Sequence, residues 1–321
     1  MTSVGRLDVL GTTRAVVRTA RDVRLDTSAI DRLAMRFRDA EVERPAWRIW
    51  PHYWDDTSRT ANYLLVLDAL NFSFWGTPRW RVSYQGGVYD GYWALAVALR
   101  RGIDEGWPLF DARELARLQI ADVAHLLRGE GELPMLAERT ANLREVGQVL
   151  VERFEGSFAN AVQRADGRAM RLTALLAKCF SSFDDRALYQ GSEVQFFKRA
   201  QILVSDLFGA FNGQGLGRFD DLNSLTAFAD YKLPQTLRED GVLVYSPALE
   251  TLVDAQQELA AGDPREVEIR VATVWAVELL RQALSGLGRQ LAAFELDWLL
   301  WSQAQSRSLP RPYHRTRTIF Y

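Results

Sequence analysis

Apolar residues recur at helical spacing along most of this chain of 321 residues, and this periodicity constrains the fold more than any other feature. Ile30, Leu33 and Phe37 lie at positions i, i+3 and i+7, which places them on one face of a helix. The preceding Asp26-Thr27-Ser28 supplies side chains that commonly cap the start of a helix. Similar patterns predict further helices over residues 63–70, 91–99, 111–128, 135–154, 168–180, 192–211, 221–232, 246–260, 264–285 and 290–304.

Residues 81–90 depart from the helical pattern. Two short runs of β-prone residues flank Gly86-Gly87, which predicts a β-hairpin near residues 80–90. Gly129 and Gly262 are expected at helix C-caps, and Pro234 is expected to end the helix before it. No internal repeat, low-complexity linker or shift in composition separates two domains. The predicted fold is therefore mainly α, a single compact helical domain over the whole chain (1–321) with one small β-hairpin.

Charge and composition argue against several classes of function. The formal net charge is -2 and the isoelectric point is about 6.0, so no overall positive field attracts polymeric nucleic acid. Cys179 is the only cysteine, which excludes a disulfide within the chain and argues against a Cys-based zinc site. No window approaches the roughly 18 apolar residues of a membrane-spanning helix, and the amino terminus lacks the apolar stretch of a signal peptide. We expect a cytoplasmic monomer that needs no metal or other cofactor and does not contact a membrane.

An aromatic cluster, Asn71-Phe-Ser-Phe-Trp75, interleaves ring side chains with two hydrogen-bonding groups. Aromatic faces can sandwich a heterocyclic base, and Asn71 can read its edge. The alternative is an aromatic core in which Asn71 ends a helix. His52 also lies among aromatic residues, in Trp50-Pro-His-Tyr-Trp54, and a lone histidine of this kind is more often structural than functional.

Asp230 lies in an apolar stretch, residues 225–235, that the periodicity assigns to a helix just before Pro234. A carboxylate in such a stretch is costly to bury unless it is paired or functional. Its charge could stabilise a ribosyl oxocarbenium ion and orient water during hydrolysis of an N-glycosidic bond. The alternative is a structural aspartate paired with a base, for which the candidates are Lys198, Arg199 and Lys232.

Three further groups of polar residues are candidates for substrate contacts. Lys198 and Arg199 interrupt an apolar helical run, where a substrate phosphate or a catalytic carboxylate could pair with a buried Lys198. Alternatively, both side chains extend to solvent. At the carboxyl end, His314, Arg315 and Arg317 alternate with threonines and could hold a single phosphate, or form a basic surface tail.

Asp297 and Trp298 lie in the aromatic stretch 294–301, where they could contact a base and a cationic substituent. The alternative is a partly buried aromatic helix with no role in binding.

These segments together resemble the queuosine salvage protein family. The matching strings occur in the family's order along nearly the whole chain: 68–75, 91–95, 197–203, 228–235, 266–270 and 314–317. Six strings in sequence are much more specific than any one motif. The resemblance implies a helical fold similar to that of helix-hairpin-helix DNA glycosylases, and an N-glycosidase that releases queuine from queuosine 5'-monophosphate without a cofactor.

The resemblance also implies roles for individual residues. Asp230 is the expected catalytic residue, because the family's catalytic acid lies in the Phe-Ala-Asp-Tyr string. The residues expected at the queuine base are His52, Asn71, Phe228, Tyr231, Asp297 and Trp298. Those expected at the ribose and 5'-phosphate are Lys198, His314, Arg315 and Arg317, and no residue is assigned to a metal.

Two other functions are compatible with a helical chain of this kind. A DNA-repair glycosylase would need a basic groove, which the slightly negative net charge does not favour. A protein that binds queuine or a related nucleobase without chemistry would retain intact nucleotide after long incubation.

Overall fold

The computed structural model describes residues 7–42 and 47–321. Its helices, in chain order, are α1 (Val9–Thr19), α2 (Thr27–Phe37), α3 (Ser58–Ala69), α4 (Gly91–Asp104), α5 (Ala112–Leu115), α6 (Ile120–Leu126), α7 (Leu136–Phe154), α8 (Phe158–Arg164), α9 (Ala169–Cys179), α10 (Lys198–Ala210), α11 (Lys232–Glu239), α12 (Pro247–Asp254), α13 (Pro264–Gly286) and α14 (Ala293–Ser306). The strands are β1 (Val23–Leu25), β2 (Arg81–Tyr84), β3 (Gly87–Asp90), β4 (Arg186–Tyr189), β5 (Ser192–Gln195) and β6 (Leu243–Tyr245). The fold is mainly helical, as the sequence predicts, with three antiparallel strand pairs: β1–β6, β2–β3 and β4–β5.

Contacts group the chain into two compact units, each made of segments that are separate in sequence. The first unit comprises the described residues of 7–42, 185–198 and 221–317, and the second comprises 47–184, 199–220 and 318–321. The single-domain organisation that the sequence favours stays a prediction.

Helix α13 is the centre of the first unit. Asp263 caps its start by accepting from the Arg265 amide, and Pro264 occupies the first position, where a missing N–H costs nothing. The helix is buried on most of its surface and contacts α1, α2, α11, α14 and β1. The strand pair β1–β6, in which Val23 is opposite Tyr245, adds to the same core.

Helix α3 has the same central place in the second unit. Its residues from Thr60 to Ala69 are buried, and it contacts α4, α7 and α8. The buried Arg139 of α7 donates to the main-chain oxygens of Leu70, Phe72 and Ser73 just after α3 ends. These bonds supply partners for buried main-chain carbonyl groups in the segment that follows the helix.

The structure confirms the hairpin expected near residues 80–90 as β2–β3, with its turn at Gln85 and Gly86. Both turn residues have positive φ, of 48° and 80°, as a tight two-residue turn requires. Within 7–42 and 47–321, no helix is long and apolar enough to cross a membrane.

Several predicted boundaries are wrong. The helix expected over 111–128 is two short helices, α5 and α6, and the one expected over 192–211 begins with strand β5 and becomes helical only at Lys198. Gly129 and Gly262 lie beyond the helices they were expected to cap, because α6 ends at Leu126 and α12 at Asp254.

The prediction for 221–232 is also wrong, and it matters most for the site. A short 3-10 turn at Leu222–Ser224 is followed by non-helical chain up to Asp230, and α11 begins at Lys232. Pro234 therefore lies in the first turn of a helix, where its missing N–H has no intrahelical partner to lose, and does not end one.

Candidate active site

Asp230 lies at the start of α11, at the end of the non-helical segment 225–230. Its Oδ1 accepts from the main-chain N–H groups of Lys232, at 2.7 Å, and Leu233, at 2.9 Å. These are amides that the first turn of a helix leaves without partners, and the positive end of the helix dipole favours a negative charge there. The half-buried carboxylate is thus held in one orientation by the main chain.

Asp297, on α14, is directly linked to the segment that carries Asp230. Its Oδ2 accepts from the Phe228 N–H at 2.7 Å, and both residues are buried. Burial raises the pKa of Asp297 well above its ordinary value, and the negative charge of Asp230 acts in the same direction. The Phe228 N–H and the Lys198 ammonium oppose this rise in pKa. Asp297 is thus driven towards its neutral acid form.

Lys198 is the buried first residue of α10, and its main-chain N–H donates to Asp185 Oδ2 at 3.1 Å. The positive charge of Lys198 lowers the pKa of Asp297, against the larger effect of burial. Because Lys198 is buried, the alternative in which its side chain extends to solvent is wrong.

Aromatic side chains flank the same segment. The half-buried Tyr231 ring lies 4.8 Å from the Tyr313 ring, between centroids, and Lys232 Nζ lies 5.6 Å from the centroid of Tyr313. Trp298 is buried and packs edge-on against Phe294 at 5.0 Å.

The basic residues of the carboxyl end have different surroundings. His314 is buried, and burial, with a smaller effect of the Arg270 charge, lowers its pKa to about 3, so the imidazole is neutral at physiological pH. Arg315 Nη2 donates to Gln256 Oε1 at 2.5 Å, and Arg317 forms an exposed ion pair with Glu258 at 3.2 Å. The phosphate contacts expected of these three residues stay predictions.

His52 and Asn71 belong to the second unit. The buried His52 ring stacks on Trp47 at 4.4 Å between centroids, and its Nε2 lies 2.9 Å from the Tyr92 hydroxyl. Asn71 Nδ2 donates to Asp68 Oδ1 at 3.3 Å. Their expected contacts with a base stay predictions.

Arg199, also in the second unit, is buried, and its Nη1 donates to the main-chain oxygens of Asp68 and Ala69. The alternative in which Arg199 extends to solvent is therefore wrong, because main-chain carbonyl groups supply its partners inside the protein.

The sequence did not single out Asp185 and Arg270, which form a buried ion pair behind Asp230 and Lys198. The one available indication is that Arg270 is followed by the largely apolar run 271–277 of α13. Within 7–42 and 47–321, no group of three or more His, Cys, Asp or Glu side chains is placed to hold a metal ion.

Comparison with known sequences identifies the family. A sequence model described as "Queuosine salvage protein" matches residues 51–321. The chain belongs to the queuosine salvage protein family. A relative from Sphaerobacter thermophilus, named queuosine 5'-phosphate N-glycosylase/hydrolase, is 53% identical over 98% of both chains. Relatives with the same name from Dictyostelium discoideum and Bos taurus are 38% and 36% identical, over 97% and 95% of this chain and 97% and 96% of theirs.

Proposed function

We propose that this protein hydrolyses the N-glycosidic bond of queuosine 5'-monophosphate and releases queuine and ribose 5-phosphate for queuine salvage. The proposal is supported by the 53% identity to a queuosine 5'-phosphate N-glycosylase/hydrolase over nearly the full length of both chains. The observation that carries it is the carboxylate of Asp230, oriented by two main-chain N–H groups beside Asp297.

Asp230 is the proposed catalytic residue. As the bond between C1' and the base nitrogen breaks, its electrons leave with the base and positive charge develops on the ribose. The fixed negative charge of Asp230 stabilises this oxocarbenium-like state. Water then adds its oxygen to C1', and the proton it loses balances the charge of the departing base.

The base is proposed to contact Phe228, Tyr231, Asp297 and Trp298. Queuine has a carbon at position 7, so protonation of N7, which would improve a purine as a leaving group, is not open to the enzyme. Hydrogen bonds to the departing base become more important for that reason. Asp297 suits this role because burial favours its neutral form, which can donate a hydrogen bond.

The remaining site assignments belong to the same proposal. Lys198, His314, Arg315 and Arg317 are proposed at the ribose and 5'-phosphate, and His52 and Asn71 at the base. Because His314 is neutral, its part would be that of a hydrogen-bonding group and not of a cation. A likeness to helix-hairpin-helix DNA glycosylases, a single domain, a monomeric state and a cytoplasmic location are proposed with it.

Mass spectrometry of the purified protein incubated with queuosine 5'-monophosphate tests the reaction. We expect free queuine and ribose 5-phosphate in equal amounts. Intact nucleotide after long incubation would instead indicate a protein that binds the nucleotide without cleaving it. Release of a base from damaged duplex DNA, with queuosine 5'-monophosphate left intact, would indicate a repair glycosylase.

A further inference from the structure

A buried ion pair lies behind the candidate site in the first unit. Arg270 of α13 donates from Nη1 and Nη2 to the two carboxylate oxygens of Asp185, at 2.9 Å and 2.6 Å, and both side chains are nearly inaccessible to solvent. The guanidinium also lies 3.9 Å from the centroid of the Phe196 ring, and its Nε lies 3.9 Å from Glu266. A planar, two-pronged contact of this kind fixes the orientation of both partners, and lysine cannot reproduce it.

One side of the pair holds the segment that carries Asp230. Arg270 Nε donates to the main-chain oxygen of Ala229 at 3.2 Å. Ala229 immediately precedes Asp230, and the chain there has no secondary structure of its own to fix it. The Arg270 contact and the capping bonds of Asp230 therefore fix the chain on both sides of the carboxylate.

The other side of the pair holds Lys198. Asp185 precedes β4, and the hairpin β4–β5 returns the chain to it, because Arg186 is opposite Gln195. The main-chain oxygen of Asp185 accepts from the N–H groups of Phe196 and Phe197, at 3.0 Å and 3.2 Å. Asp185 Oδ2 then accepts from the N–H of Lys198, so a carboxylate 13 residues earlier in the chain caps α10.

The backbone at this junction is strained. Phe197 has a φ of 51°, in the left-handed region that residues other than glycine adopt at a cost. The contacts of Asp185 on both neighbours of Phe197 hold this conformation, which sets where α10 and Lys198 begin.

We propose that Asp185 and Arg270 are positioning residues that together fix Asp230 and Lys198 in the arrangement required for hydrolysis. This inference rests on the proposed function. Stability alone does not require such a pair, since well-packed apolar residues in place of a buried ion pair are often equally stable or more so. What an apolar pair could not supply is the set of directed bonds to the oxygen of Ala229 and the amide of Lys198.

Arg270→Lys tests the proposal, because it keeps the charge and loses the two-pronged contact. A displacement of catalytic groups by about 1 Å costs up to roughly 100-fold in rate, so we expect kcat for queuosine 5'-monophosphate to fall about 10- to 100-fold. KM should change by less than about threefold, because the pair does not touch the substrate. Asp185→Asn should give the same division between kcat and KM, and it replaces the first variant if Arg270→Lys does not fold.

Glu268→Gln is the matched control. Glu268 is also a buried carboxylate on α13. Its hydrogen bonds come from the amides of residues 21–23 and from the Tyr189 hydroxyl, and not from the segment that carries Asp230. Its kcat per folded molecule should match that of the wild type even where its Tm falls. Equal losses of kcat in Arg270→Lys and Glu268→Gln would overturn the positioning role. A wild-type protein that leaves the nucleotide intact would refute the proposed function itself, so the two failures are distinguishable.

Discussion

Replacing Asp297 with asparagine should change how the stability of the protein depends on pH. Burial raises the pKa of Asp297 well above its ordinary value, so the native state binds a proton that the unfolded chain releases above about pH 3.9. The native state therefore binds more protons, and the free energy of unfolding falls as pH rises. The stability from the protonated carboxyl group is fully present below about pH 3.9 and is lost as pH rises through the native pKa.

The expected change in stability is that of one proton bound by the native state and not by the unfolded chain. At 25 °C the free energy of unfolding contributed by this group falls by up to about 1.4 kcal/mol for each pH unit above the unfolded pKa. Over two pH units the loss is therefore at most about 2.7 kcal/mol. Asparagine can still accept from the Phe228 N–H through its own oxygen, but it does not titrate.

Urea unfolding at several pH values between about 4.5 and 6.5 gives the free energy of unfolding of the wild type and of Asp297→Asn. The stability of the wild type relative to the variant should fall steadily as pH rises. Parallel curves over the whole range would refute the reasoning, because they would mean that the carboxyl group binds its proton equally well in both states.

Three further predictions concern the same unit. His314→Gln should have the opposite effect on the pH dependence of stability. Burial lowers the pKa of His314 to about 3, so the wild type loses stability as pH falls below about 6.5. A variant that keeps this loss would contradict the account. Phe228→Leu keeps the N–H that contacts Asp297 but removes the aromatic ring. If stacking on the base contributes about 1–3 kcal/mol, kcat/KM should fall about 5- to 150-fold. A change within about twofold would exclude stacking. Arg317→Gln should reduce turnover of the nucleotide roughly tenfold more than it reduces turnover of the nucleoside. Glu258→Gln breaks the same ion pair and should not show this selectivity for the nucleotide. Equal effects of the two variants would mean that Arg317 has only a structural role.

Much of the fold follows from the periodicity of the sequence, and the errors have identifiable causes. The helices predicted over 264–285 and 135–154 are long, so their apolar patterns define α13 and α7 to within one residue at each end. Strand β5 has only four residues and runs almost directly into α10, so periodicity assigns it to the helix. Pro234 was misinterpreted because a proline can follow the end of a helix or lie in its first turn, and the cap at Asp230 selects the second.

The sequence indicates which residue types are candidates for the site, but not which groups surround each of them in the fold. Asp230 was identified as a carboxylate in an apolar segment, yet its N–H partners depend on where α11 begins. The buried contact between Asp297 and Phe228 joins positions 69 residues apart, which no local pattern contains. The same is true of Asp185 and Arg270, 85 residues apart, because a tertiary ion pair is not encoded in the spacing of either segment.

The role of Asp230 is tested most directly by comparing Asp230→Asn and Asp230→Ala with the wild type in single-turnover hydrolysis of queuosine 5'-monophosphate. Asparagine can still cap α11 but carries no charge. Alanine also removes the cap, which should lower the free energy of unfolding by a further amount of about 0.5–2 kcal/mol. Loss of the charge alone should slow queuine release about 100- to 1,000-fold in the folded Asp230→Asn protein. Release within a few-fold of the wild-type rate by Asp230→Asn would contradict the assignment of Asp230 as the catalytic residue.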